Sequence, residues 1–363
     1  MDRQSSSGQF EVLGIPLENP HSKNLCFCNV IVNTLISLRK TKDLLNSEDN
    51  NHYILNAMRK LLNDRSTVKS AREIKYLVAE SHEKFRTDDQ QCCSEFLESL
   101  LEVCAPLRQH FEISVLKKWT CKKCGTESES DDIVTTFPLA NMNGNSSGDL
   151  VMKNLRKTST IFKRCYNPEC QNVTDRDGNI GNKHKEVMDF NVTSDVLCVR
   201  ANIMAYRGSG DNYEAVKMLQ VIEPSNQIII GNTTFKVRSV VVHDGPNLNS
   251  GHYYCYLKTS DDSWICCNDS DVDPVQQPSP YGYLFFYEKW SDDTPAIGSN
   301  INVEPEVQME TEEESTLDDH FESQSENPDV SMESQTPVPA EVQQVSESEN
   351  EDEVHCPVCK KIF

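Results

Sequence analysis

Apolar residues at Phe27, Val30, Ile31, Leu35 and Leu38 repeat at the spacing of one helix face, directly behind a polar, proline-bearing stretch over 19–24. The pattern predicts a buried helix that opens at Cys26. Helical periodicity continues over 53–62 and 68–82, and a further helix runs through Phe96, Leu97, Leu100, Leu101 and Cys104 to stop at Pro106. Ahead of it, Thr87 is placed as a cap, with Gln90 reaching back in a capping box. From Phe111 the period changes to two. Extended segments are expected at 114–120, 132–139, 186–191, 196–206, 227–231, 235–242, 253–257, 263–267 and 281–287. Helices first and strands afterwards define an α+β fold with a mostly antiparallel sheet, without an internal repeat.

Charge divides the chain sharply. Of the net −22, residues 291–354 carry −20 (20 Asp and Glu, no Lys or Arg), so the rest sums to −2. A nearly neutral body offers no basic surface for nucleic acid. The acidic Ser/Pro/Gln-rich tail has too little apolar surface to offset ordering entropy and is expected to be disordered, as are residues 1–9. No charged-then-apolar leader follows Met1 and no apolar run is long enough for a bilayer, so no membrane partner is expected. Fifteen cysteines in that setting point to thiols and metal ligands rather than disulfides, and the expected compartment is cytoplasm or nucleus.

Chemistry gathers in three places. Cys26 at a helix start would meet unpaired N–H groups and the positive dipole end, a setting that lowers a thiol pKa from ~8.5 to roughly 3.5–7.5. His252 opens a strand behind Gly251, which would permit close approach of a substrate backbone, and Asn268-Asp269 end the next strand. If 253–257 and 263–267 pair as a hairpin, Asn268 lies beside His252. A cysteine, that histidine and a carboxamide or carboxylate then make a thiol-protease triad. Strand alternation lets only one of Asn268 and Asp269 face the imidazole and turns the other away, toward the oxyanion side or solvent. The third place is Cys121-x-x-Cys124-Gly125 with Cys165-x4-Cys170, two cysteine pairs that suit a closed, structural four-thiolate zinc site. No organic cofactor is implied. Cys28, Cys93, Cys198, Cys255, Cys266 and Cys267 read as small core residues. Residues 355–363 hold half a zinc motif at most, Cys356-x-x-Cys359 beside His355.

These residues resemble the ubiquitin-specific protease family. Its cysteine box, Gly-Leu-x-Asn-x-Gly-Asn-Thr-Cys-Tyr-x-Asn, is followed with changes by Gly14-Ile15-Pro16-Leu17-Glu18-Asn19 and Asn24-Leu25-Cys26-Phe27-Cys28-Asn29. Its middle box, Gln-Gln-Asp-Ala-x-Glu-Phe, appears as Gln90-Gln91-Cys92-Cys93-Ser94-Glu95-Phe96. Its histidine box appears as His243-Asp244-Gly245, Gly251-His252-Tyr253, Tyr256, Trp264 and Asn268-Asp269. The boxes keep their order over about residues 10–290.

The resemblance implies a papain-like cysteine protease fold. A helical lobe carries Cys26, an antiparallel-sheet lobe carries His252 and Asn268, and zinc-stapled β fingers over about 111–200 cradle ubiquitin. It implies a deubiquitinase acting on ubiquitinated proteins at the C-terminal glycine of ubiquitin. Cys26 is then nucleophile, His252 general base and acid, Asn268 the residue orienting it, and Asp269 its neighbour or substitute. Gln91, Glu95, Gly251 and Tyr253 would receive the ubiquitin tail, Glu95 by pairing with an arginine and Tyr253 by packing on the channel for Gly-Gly. Two departures stand out. The turn before Cys26 is stretched, so the oxyanion donor falls at His21 by spacing and at Asn19 or Asn24 by motif, and the tail-binding aspartate of the middle box is Cys92. They keep two alternatives open: a weak or inactive zinc-stabilised ubiquitin-binding scaffold, and a protease for another ubiquitin-like modifier. The acidic tail's partner is unknown.

Overall fold

A computed structural model describes residues 14–139, 144–175, 178–209, 212–217, 220–247 and 250–290, with backbone only over 204–209, 212–216 and 247. The expectations for 1–9, the acidic tail 291–354 and the end segment 355–363 lie outside the described residues.

The apolar stripe behind Cys26 forms α1 (Cys26–Ser37), whose twelve residues are all buried. Around it stand α2 (Arg39–Asn46), α3 (Tyr53–Asn63), α4 (Arg72–Ala79), a 3-10 turn (Glu83–Arg86), α5 (Cys93–Val103) and α6 (Ala105–Arg108). Phe27 of α1, Phe85 of the 3-10 turn and Phe96 of α5 pack as an aromatic trio with centroids 5.2–6.0 Å apart. Edge-on aromatic contacts of this kind add to the burial of three large rings. They fix the loop before α5 against the head of α1.

The strands form two principal sheets. One holds β1 (Ile113–Cys121), β2 (Glu127–Val134), β4 (Arg156–Lys163), β5 (Val173–Thr174) and β6 (Ile180–Asn191), in the order β2-β1-β6-β4 with β5 on β6, all antiparallel. The other contains β3 (Phe137–Leu139), β7 (Val196–Ala201), β10 (Gln227–Ile230), β11 (Thr233–Asn247), β12 (Ser250–Lys258), β13 (Trp264–Asn268), β14 (Asp271–Val275) and β15 (Gly282–Trp290). Its order is β14-β13-β12-β11-β15-β7-β3, with β10 on β11, and only the short β3–β7 pair is parallel. Helix α7 (Ser147–Asn154) and the ribbon β8 (Met204–Ser209)–β9 (Asn212–Lys217) complete the described elements. The α+β reading holds, and no helix among the described residues is long and apolar enough to cross a membrane.

Several boundaries differ from the sequence reading. The helix expected over 68–82 is only Arg72–Ala79, because residues before it are used as extended backbone: Lys69 N–H donates to Pro16 and its carbonyl accepts from Glu18. The expected strand 132–139 belongs to two sheets, β2 and β3, and the expected strand 196–206 breaks after Ala201. The finger sheet therefore ends at Asn191 rather than near 200, and β7 belongs to the large sheet. The capping box is not formed. Cys92 is the N-cap of α5 with no side-chain cap bond, Thr87 Oγ1 accepts a local bond from Asp89 N–H (3.4 Å), and Gln90 faces Cys26.

Candidate active site and metal centre

The turn that delivers Cys26 is held by carboxamides. Ser22 and Asn24 take left-handed φ values of 67° and 45°. Asn19 Oδ1 accepts the N–H of Leu25, the residue that caps α1, at 2.7 Å. Asn33 clamps the preceding segment by exchanging two bonds with the backbone of Ile15, at 2.7 and 3.1 Å. Asn29 donates to Glu18 O at 3.1 Å. A helix whose apolar stripe faces the core thus uses its buried asparagines to pin the loop before it.

From the opposite side come β12 and β13, the hairpin predicted from the sequence, paired with Cys255 opposite Cys267. His252 Nε2 lies 2.6 Å from Asn268 Oδ1. The carbonyl oxygen accepts only, so this bond places the proton on Nε2 and leaves Nδ1 as the base. Asp269 departs from the alternation argument. Its φ of 50° turns the chain between β13 and β14, strand geometry ends at Asn268, and Asp269 Oδ2 lies 3.7 Å from the same His252 nitrogen. The carboxylate also accepts from Asn19 Nδ2 (2.9 Å) and Asn29 Nδ2 (2.8 Å), and its backbone oxygen accepts from Leu17 (2.9 Å). Asp269 is the joint between the two sides of the site. The sequence marks Asn29 only as part of a motif, and its partnership with residue 269 is not readable from it.

The thiol environment reverses the sequence expectation. Burial pushes Cys26 up to about 11; the Asp269 charge adds to this, against hydrogen bonds from the Tyr253 and Phe27 backbones and from Gln90. At 2 % exposure, loss of hydration outweighs the helix-start effect. The free thiol is therefore neutral near pH 7. The Gln90 carboxamide is the side chain that touches it, with Nε2 at 3.7 Å and Oε1 at 4.0 Å from Sγ. The sequence reading gives Gln90 a capping role and no place in the site. The middle-box match ahead of a helix was the available signal, but the capping assignment pointed it elsewhere.

The other candidates fall in varied places. His21 is exposed, and Asn24 Nδ2 is turned to the Asp88 carbonyl at 2.8 Å. Gln91 is half-buried in the loop before α5, and Glu95 is exposed and paired with Lys84 at 2.7 Å. The Tyr253 ring is fully buried against His243, centroids 4.5 Å apart, so it lies beneath the site instead of lining a channel, and only its backbone N–H reaches the thiol. Gly251 is exposed, and the fold itself requires a glycine there. Its φ is 137°, and a Cβ there would stand 2.2 Å from the Asp244 carbonyl. Cys92 Sγ is 3.2 Å from the Tyr283 hydroxyl. His243 is buried, neither ring nitrogen meets a partner among the described residues, and burial with the Lys217 and His252 charges pushes it down to about 4.

At the far end of the finger sheet, the thiols of Cys121, Cys124, Cys165 and Cys170 lie within 4.8 Å of one another. The Cys121–Cys170 and Cys124–Cys165 separations are 3.9 and 3.7 Å. A tetrahedral metal with ~2.3 Å bonds to sulfur requires edges of about 3.8 Å, so the donor set fits. The knuckle closes through Gly125 N–H to Cys121 O (2.8 Å), with Gly125 at φ 77°. Asn182 Nδ2 donates to Cys170 Sγ at 3.4 Å, and Asn172 brackets the Cys165 backbone at 2.8 and 2.9 Å. The cluster can hold a metal ion, with no position left for substrate. No disulfide forms among the described cysteines, and Cys28, Cys93, Cys198, Cys255, Cys266 and Cys267 are buried.

A buried helix that opens on a thiol, met by the backbone of Tyr253 next to a sheet-borne imidazole, defines the papain-like cysteine hydrolases. The family model for ubiquitin carboxyl-terminal hydrolases matches residues 17–287, and the chain belongs to that family. Ubiquitin carboxyl-terminal hydrolase 25 of Arabidopsis thaliana is 21% identical over 248 residues, 60% of this chain and 36% of that protein. Ubiquitin carboxyl-terminal hydrolase 42 of Homo sapiens is 34% identical over 73 residues, 19% of this chain and 5% of the relative. The chain thus spans about a third or less of the length of these relatives. In fold it is similar to the SAGA Ubp8/Sgf11/Sus1/Sgf73 DUB module solved with ubiquitin aldehyde, with a TM-score of 0.58 at 15% identity, covering 77% of this chain and 70% of that one.

Proposed function

We propose that the protein is a thiol-dependent deubiquitinase, cleaving the isopeptide bond after the terminal glycine of ubiquitin. The observation that carries this reading is the 2.6 Å bond from His252 Nε2 to Asn268 Oδ1 beside a helix-start thiol, inside the family-matched span. With Nε2–H held by Asn268, Nδ1 of His252 takes the Cys26 proton as sulfur attacks the glycine carbonyl. The imidazolium then protonates the departing lysine amine, leaving a thioester on Cys26. His252 next takes a proton from water, whose oxygen attacks the thioester, and the thiol is restored. Because the resting thiol is neutral, the reaction begins with that proton transfer and not from a standing thiolate.

Zinc is the ion proposed for the four thiols, as a structural staple of the fingers that would hold the globular part of ubiquitin. Ubiquitinated proteins are the proposed substrates, and the ubiquitin-bound state of the similar DUB module supports ubiquitin as the partner. The proposed catalytic domain spans 10–290, with 291–354 as a solvating acidic tail, and the free thiols favour cytoplasm or nucleus. The test is labelling with an electrophilic ubiquitin probe beside probes built on other ubiquitin-like modifiers. Labelling by the ubiquitin probe alone, abolished in Cys26→Ala, is the expected result. Labelling that persists without Cys26, or that prefers another modifier, overturns the reading.

A further inference from the structure

We infer that the Gln90 carboxamide, supplied from the loop before α5, is the side-chain donor to the oxyanion formed at Cys26; the inference rests on the thiol-hydrolase reading above. Attack by Cys26 places negative charge on an oxygen one bond from the sulfur-bound carbon. A useful donor must stand about 2.7–3.1 Å from that oxygen. Gln90 Nε2, 3.7 Å from Sγ, is close enough to the sulfur to reach such an oxygen.

The three positions in the cysteine-box turn are differently engaged. His21 is exposed, Asn24 donates to Asp88 O, and Asn19 is a strut between the Leu25 N–H and the Asp269 carboxylate. Gln90 is also held in place from behind. The buried Lys75 ammonium donates to Thr87 O at 2.6 Å and lies 3.7 Å from Asp88, whose carboxylate also takes Lys23 at 2.6 Å. Asp88 is thereby tied to the turn that carries Cys26, and Gln90, two residues on, is brought to the sulfur. An amide positioned before the reaction stabilises the charge without reorganisation as it develops.

The experiment compares Gln90→Met, Asn19→Ala and wild type in the full chain. Readouts are kcat and KM on a fluorogenic ubiquitin substrate from pH 6 to 9, and affinity for ubiquitin aldehyde, whose adduct with a thiol carries the same oxygen. For Gln90→Met, kcat should fall about 10²–10³-fold at every pH with KM nearly unchanged, and ubiquitin aldehyde binding should weaken in parallel. Unmodified ubiquitin should bind Cys26→Ala and Cys26→Ala/Gln90→Met equally, which shows that the fold is intact. A loss in Gln90→Met that recovers at high pH makes Gln90 a support for the thiolate only and overturns the assignment. So does near-wild-type turnover in Gln90→Met with the loss appearing in Asn19→Ala. If wild type itself forms no adduct with ubiquitin aldehyde, the deubiquitinase reading fails first and takes this one with it.

Discussion

The head of α1 and the far end of the finger sheet are both built on cysteine, yet they treat sulfur in opposite ways. At the helix, one thiol is enclosed by groups brought from distant segments: Gln90, the Tyr253 backbone and the Asp269 carboxylate. At the finger, four thiols are brought to within 4.8 Å by two short knuckles and a local asparagine frame. The first arrangement keeps a proton on sulfur until a base removes it. The second suits sulfurs that have surrendered their protons to a metal. What a cysteine does is thus decided by what faces it, and the two regions should fail in different ways.

Stripping the metal should show the largest effect. Structural zinc sites contribute about 10–16 kcal/mol of apparent binding free energy, which is folding free energy for the segment they close. Chelation, or Cys121→Ser, is expected to take metal content from one per chain to none and to melt the finger sheet. Ubiquitin-probe labelling should collapse, while alkylation of Cys26 by iodoacetamide should not. Equal loss of both would erase the distinction between the regions; elemental analysis and the two labelling rates decide it.

Within the junction, Asn268→Ala should lower kcat about 10²-fold with ubiquitin affinity intact, since it frees the imidazole to rotate and to change tautomer. Asn268→Asp should keep activity and move the imidazole limb of the pH–rate profile upward, because a carboxylate favours the charged ring. If Asp269→Ala is the inactive variant and Asn268→Ala behaves as wild type, the orienting role passes to the carboxylate 3.7 Å away.

His243 gives the junction an acid sensitivity of its own, independent of any metal. Its imidazole titrates near 6.5 when unfolded and near 4 in the fold. Below pH 6.5 the unfolded chain therefore binds a proton that the native chain refuses. Stability should drop as pH falls from 6.5 to about 4, by about 3 kcal/mol in all, and level off below that. Urea unfolding of His243→Leu across this window should be flatter than wild type by that amount; parallel curves would refute it.

The smallest effect concerns charge on the thiol. Asp269 raises the Cys26 pKa, so Asp269→Asn should lower it and speed iodoacetamide modification at pH 8 a few-fold, even as turnover falls. A slower alkylation in Asp269→Asn would reverse the sign assigned to that carboxylate.

Much of this was legible in advance where one residue type performs one task locally. The stripe from Phe27 to Leu38, the two cysteine knuckles and the His252–Asn268 hairpin each announce themselves within a short window. What could not be read depends on distant partners. The capping assignment for Thr87 and Gln90 was locally sound but lost to a contact between residues 64 positions apart. The low thiol pKa expected from a helix start was overridden by burial, a property of the assembled lobes. Asp269 was turned away by strand alternation, but the strand ends one residue earlier. The helix Arg39–Asn46, rich in lysine and arginine, was missed because its anchorage is the buried Glu288, which accepts the Arg39 N–H at 2.6 Å.

The place of β15 has a consequence for synthesis. Residues 282–290 are the last of the described strands in chain order, yet they lie between β11 and β7 in the interior of the large sheet. While they are still within the ribosome, β7 and β11 each present a bare edge. The thiol at residue 26 will by then have been outside for more than two hundred residues of translation. A nascent chain halted before residue 282 therefore holds every catalytic side chain and still lacks the strand that joins the two halves of the sheet. Catalytic competence should arrive abruptly, once β15 has left the ribosome, and a stalled chain should be handled by the cell as a client of chaperones rather than as a slow enzyme.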